Sequence, residues 1–224
     1  MRTEQAHVPN QEMHNYASEF GTIMNHEGVY HAVTADGEQS VPVPTNVAEH
    51  IALAMKLQDK ALDQDEDARN VLQTFNCRKS AKFILGKVPF EQFVVEWSSS
   101  GGEEAMFRDV ELLLKSGNES VAELKNYADF EEVLHGYEGA FPCIVHIFES
   151  DTPVEISAFP ERVATLHRVH SFVVLGEDES GYVCFQKMGP DTDQPFIICD
   201  LEMITTLYSN QKKRTGYFVY GSHT

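Results

Sequence analysis

The stretch RVHSFVVLGEDESGYVCFQK, Arg168–Lys187, holds two apolar runs, HSFVVLG and YVCFQK, on either side of the polar EDESG. Short runs rich in valine, phenylalanine and tyrosine, broken by Asp, Ser and Gly, predict two strands joined as an antiparallel hairpin. Residues at the open end of such a hairpin are far apart in sequence but close in space. His170, heading the first strand, and Gln186, near the end of the second, are therefore expected side by side. Outward from this hairpin, FPCIVHIFES and VEISAF read as two more strands joined by an Asp-Thr-Pro turn. PFIICD reads as a fifth strand, Leu201–Tyr208 as a short helix and TGYFVYG as a closing strand.

Upstream the period changes. Thr45 or Asn46 is expected to cap a helix whose apolar positions are Val47, Ile51, Ala54 and Met55. In TFNCRKSAKFILG, Thr74–Gly86, the residues Cys77, Ala81, Ile84, Leu85 and Val88 form one helical stripe, ended by Gly86 and Pro89. Two further helices are predicted over about Glu103–Lys115 and Ser120–Leu134, whereas the acidic DQDED (63–67) reads as a solvated face or loop. Residues 1–44 are expected to be an N-terminal extension, with a small hairpin in TIMNHEGVYHAV turning at His26, Glu27 and Gly28. Residues 45–224 read as a single domain, helical over 45–136 and sheet over 140–221. The fold class is α+β, with N-terminal helices packed on a C-terminal antiparallel sheet.

The chain has 224 residues, 42% of them hydrophobic, with 14 phenylalanines, which is enough for a packed core. Thirty-five acidic residues face 17 basic ones, a formal charge of −18. That balance argues against a partner whose backbone is phosphate, and against an anionic membrane surface. No apolar run approaches the about 18 residues of a membrane span, and MRTEQAHVPNQEMHNYASEF lacks the apolar core of a signal peptide. The cysteines at 77, 143, 184 and 199 show no CxxC spacing and read as reduced thiols. A cytoplasmic location, or export without a cleavable signal, follows as the expectation. SSSGGEE (98–104) lacks the GK[ST] of a phosphate loop. Neither HExxH nor CxxC accompanies the histidine pairs His26/His31 and His167/His170, so no cofactor and no metal are expected.

Chemistry concentrates on Cys77. Orphan N–H groups and the macrodipole at a helix start favour a thiolate, the nucleophilic form, and a thiolate needs a base with an oriented partner. His170 and Gln186 are the candidates for those two roles, with His167 as a rival base. Cys143, Cys184 and Cys199 lie within apolar runs and read as core, and His146 as a packed or edge-facing strand residue.

FNC opening an amphipathic helix, HSFVVLG opening a strand, and a polar residue on the next strand together resemble the papain-like cysteine hydrolase superfamily. The nearest branch is the NlpC/P60-type peptidases and amidases. Asn76 stands where that branch often has Asp, and Arg78 where a small residue usually follows the cysteine. The resemblance implies a papain-like domain in which Cys77 is the nucleophile, His170 the base and Gln186 the orienting group, with Asn76 supporting the oxyanion. It implies a thiol hydrolase, a peptidase, amidase or related acyl-transfer enzyme working through a thioester, whose substrate is a peptide or protein amide bond. Gln186 in place of a charged partner, and Arg78 beside the cysteine, point to the alternative, a non-catalytic papain-like protein that binds a protein partner. A third reading is a metal-dependent hydrolase built on histidines.

Overall fold

The computed structural model describes residues 15–86, 119–124, 127–162, 165–189, 197–209 and 215–222. Within them the chain opens with strands β1 (Asn15–Ser18), β2 (Gly21–His26), β3 (Val29–Val33) and β4 (Ser40–Val43). Helices α1 (Thr45–Leu62), α2 (Glu66–Gln73) and α3 (Cys77–Leu85) follow. Then come β5 (Glu119–Leu124), α4 (Tyr127–His135), β6 (Cys143–Ser150), a 3-10 turn (Ile156–Ala158) and the short α5 (Phe159–Arg162). The C-terminal part holds β7 (His167–Asp178), β8 (Gly181–Phe185), β9 (Ile198–Asp200), α6 (Leu201–Ser209) and β10 (Thr215–Ser222). The protein is α+β with two antiparallel sheets, a four-stranded meander β1-β2-β3-β4 and a six-stranded sheet in the order β5-β10-β6-β7-β8-β9.

The β7–β8 hairpin forms the middle of the large sheet, with Val173 opposite Phe185 and Asp178 opposite Gly181. Asp178 Oδ1 accepts from the Ser180 N–H at 2.8 Å, which closes the turn. Alternate residues of β7 feed two separate cores. Val173 and Leu175 join Ile144, Val183, Phe185, helices α1–α3 and the meander on one face. Phe172 and Val174 join Cys143, Val145, Ile147, Tyr182, Cys184 and helices α4 and α6 on the other. A sheet buried on both faces reads as continuous apolar sequence, as β6 to β8 do. Each such valine or phenylalanine contributes roughly 1.5–3 kcal/mol by leaving water.

The hairpin expected in TIMNHEGVYHAV is the centre of the meander. Glu27 (φ 52°) and Gly28 (φ 87°) make its two-residue loop, and positive φ at both positions matches the twist of the flanking strands. The meander shares the core of α1–α3 through Phe20, Ile23, Ala32, Val41 and Val43. Gly21 makes the close approach possible: it has φ +138°, and a Cβ there would lie 2.8 Å from Ile198 Cδ1 of β9. The Phe20 carbonyl accepts from the Ile198 N–H at 3.0 Å, so β9 joins the two sheets.

Several sequence expectations need correction. Residues 119–124, predicted as the first part of a helix, are an edge strand paired with β10 from Glu119↔Gly221 to Leu124↔Gly216, and the helix starts only at Tyr127. Strand pairing across the sheet overrides the local helical spacing. VEISAF is not a strand: Val154 and Phe159 are buried but Ile156 is exposed, and the segment turns through 3-10 and α-helix into Pro160. Proline is well suited to a first helical turn. The acidic run DQDED is exposed throughout, as expected, and also starts a helix, since Asp65 Oδ1 accepts from the Ala68 N–H at 3.0 Å and caps α2. The closing strand expected in TGYFVYG is present as β10, between β5 and β6 in the sheet. The predicted helix over 103–115 and the loop SSSGGEE lie outside the described residues.

Candidate active site

Helix α3 begins at Cys77, and its first turn is held by the residues around it. Asn76 has extended backbone (φ −130°, ψ 174°), and its Oδ1 accepts from the Lys79 N–H at 2.9 Å. That is an N-cap, worth about 1 kcal/mol relative to alanine. Lys79 Nζ reaches back to the Thr74 carbonyl at 3.2 Å and Thr74 Oγ1 at 3.0 Å, and lies 4.7 Å from the Phe75 ring centroid. Phe75 packs edge-on against Phe83 at 5.8 Å. Thr74, Phe75, Asn76 and Lys79 thus have a part in fixing the helix start. Cys77 itself is half-buried. Arg78, next to it, is buried. Burial pushes the Lys82 ammonium down to a pKa of about 8, and the charge of Arg78 adds to that shift.

His170 pairs with Ile147 across β6 and is buried, its ring stacked on Phe172 at 5.9 Å and 20°. A β-bulge interrupts the β6–β7 register just before it, between Ile147 and Phe148, and bulges at a strand end commonly re-aim a side chain. Gln186 follows β8, is buried, and donates its main-chain N–H to the Ile197 carbonyl at 2.9 Å. By strand alternation it shares the face of Cys184 and Phe172. His170 and Gln186 therefore lie toward the same end of the β7–β8 pair. Helix α3 packs on the opposite face of the hairpin, among Val173 and Phe185, and its first turn meets that same end at Met188. Ser80, three residues after Cys77, accepts from the Met188 N–H at 3.2 Å. Cys77 thus heads a helix packed on the face of the sheet opposite Phe172 and Cys184.

His167, the rival base, is exposed at the outer end of β7 opposite Glu149. His146 is buried in β6, its Nδ1 2.8 Å from Ser171 Oγ. Cys143, Cys184 and Cys199 are buried in the second core, and burial pushes their thiols well above the ordinary range. Among the described residues no three His, Cys, Asp or Glu side chains are grouped to hold a metal ion. Nor is any described helix long and apolar enough to cross a membrane. Two buried polar side chains near the β8 exit escaped the sequence reading: Ser80 and Gln58 of α1, whose Oε1 accepts from the Gly189 N–H at 3.4 Å. Their signal was a polar residue set among apolar helix positions, which alone does not say what it touches. No family model, no curated protein and no solved structure matches this chain.

Proposed function

We propose that the protein is a papain-like thiol hydrolase acting on an amide-type bond in a peptide or protein, with Cys77 as nucleophile, His170 as base and Gln186 as the group that orients the imidazole. The observation that supports this reading is that the capped first turn of α3 reaches the chain just past the end of β8, the strand paired with β7. In the reaction the Cys77 sulfur adds to the carbonyl carbon while His170 takes the thiol proton. Collapse of the tetrahedral intermediate expels the amine, which receives that proton from His170 and leaves a thioester on Cys77. Water, activated by His170, then releases the acid and restores the thiol. Asn76 Oδ1 is engaged by Lys79, so the groups beside the sulfur that address the oxyanion are the main-chain N–H of Cys77 and Arg78, together with the Asn76 amide nitrogen. The same chemistry serves hydrolysis, deamidation and acyl transfer.

A second reading, a binding protein on the same framework, is favoured by one observation: the His170 ring is stacked on Phe172, part of the core away from α3. Alkylation of Cys77 by iodoacetamide, followed by peptide mass spectrometry in wild type and His170→Ala, separates the two. A hydrolase is expected to react at about pH 6 and to lose about tenfold or more of that rate without His170. Equal rates in both proteins would sink the hydrolase reading and leave the binding one.

A further inference from the structure

Ser80 is fully buried, yet its hydroxyl is used on three sides. It accepts from the Met188 N–H at 3.2 Å, and its single proton has two carbonyl acceptors in reach, Asn76 at 2.8 Å and Met188 at 3.2 Å. Asn76 is the cap of the helix and the residue before Cys77. Met188 lies two residues after Gln186, where β8 has ended and its main-chain groups have left the ladder. A strand exit buried in this way must find partners for both groups, and one serine supplies them. Gln58 holds the next residue, Gly189, from helix α1. Two helices therefore grip the chain just beyond Gln186, and one of those grips is tied to the residue preceding the nucleophile.

We propose that Ser80 is a positioning residue whose hydroxyl sets the separation between the first turn of α3 and the β8 exit, and so the geometry of Cys77 relative to His170 and Gln186. The proposal rests on the thiol-hydrolase reading. An ordinary buried hydrogen bond would affect only stability. A positioning clasp also governs reactivity, because small misplacements of reacting groups cost large factors in rate.

The test compares wild type, His170→Ala, Ser80→Ala, Ser80→Thr and Leu72→Val, the last a core change on α2 that lowers stability away from the clasp. Each is read for the pH profile of Cys77 alkylation and for Tm. Ser80→Ala is expected to lose about ten- to a hundredfold of the His170-dependent rate at about pH 6, and Ser80→Thr, which keeps the hydroxyl, to recover most of it. Leu72→Val is expected to lower Tm with the profile unmoved. If Ser80→Ala does not fold, Gln58→Leu takes its place, with a smaller loss in the same direction. A wild-type profile that depends on His170, with Ser80→Ala or its replacement showing that same profile at lower Tm, overturns the clasp and leaves the hydrolase standing. A wild-type profile indifferent to His170 overturns both.

Discussion

At the residue scale, the polar side chains of α1 and α3 are placed by what they must satisfy rather than by exposure. His50, on α1, shows the cost. Its ring packs 4.9 Å from that of Phe83, and burial pushes its pKa below the usual histidine value. A main-chain hydrogen bond at Ile84 and the charge of Glu49 offset only part of that shift. The folded protein therefore holds His50 neutral to lower pH than the unfolded chain does. As pH falls through the unfolded value of about 6.5, the unfolded state takes up the proton first, and the stability that depends on a neutral ring is lost. His50→Gln removes this linkage. Urea unfolding at about pH 7.5 and 5.5 should show wild type losing more stability over that interval than the variant. Parallel losses would mean that the buried ring is not what titrates.

At the element scale, β9 is packed closely against the meander at Gly21. Its φ of +138° is open to glycine and strained for other residues, and a Cβ would meet Ile198 at 2.8 Å. Gly21→Ala combines backbone strain with overpacking and should cost about 2–4 kcal/mol, measured as a fall in urea midpoint without a change in slope. A cost under about 0.5 kcal/mol would show that the two sheets dock loosely there. Such docking was not legible in the sequence, where Gly21 is one glycine in a polar region. What could be read were elements whose signals are local: the start of α3 after Asn76, the Glu27-Gly28 turn, and the doubly buried strands of the central hairpin. The strand at 119–124 was misread because an edge strand owes its state to β10, some ninety residues on, and carries weak alternation of its own. The site followed the same division. Cys77 at a helix start and the pairing of the β7 and β8 ends could be inferred from the sequence. The face on which His170 stacks, and the Ser80–Met188 contact, depend on tertiary packing.

At the scale of the whole molecule, a sheet with a core on each face is held against a formal charge of −18. Apolar burial on both faces supplies the driving force, while carboxylates repel one another over the surface that remains. Repulsion of this kind falls off over the Debye length, about 10 Å at 0.1 M salt and about 3 Å at 1 M. The cations of α3 at its start do not relieve it at the surface, since Arg78 and Lys79 are buried and Lys79 is tied back to Thr74. Sodium chloride should therefore stabilise the fold by screening. Raising it from about 0.05 to 0.5 M is expected to lift Tm by several degrees, about 2–4 °C for each kcal/mol in a chain of this size. The rise should shrink as pH is lowered toward the sequence pI of about 4.8, where protonation removes the repulsion that salt would screen. A salt-induced fall in Tm at neutral pH would instead show that attractive pairs outweigh repulsion, and that the acidic excess is arranged around the buried cations rather than spread over the surface.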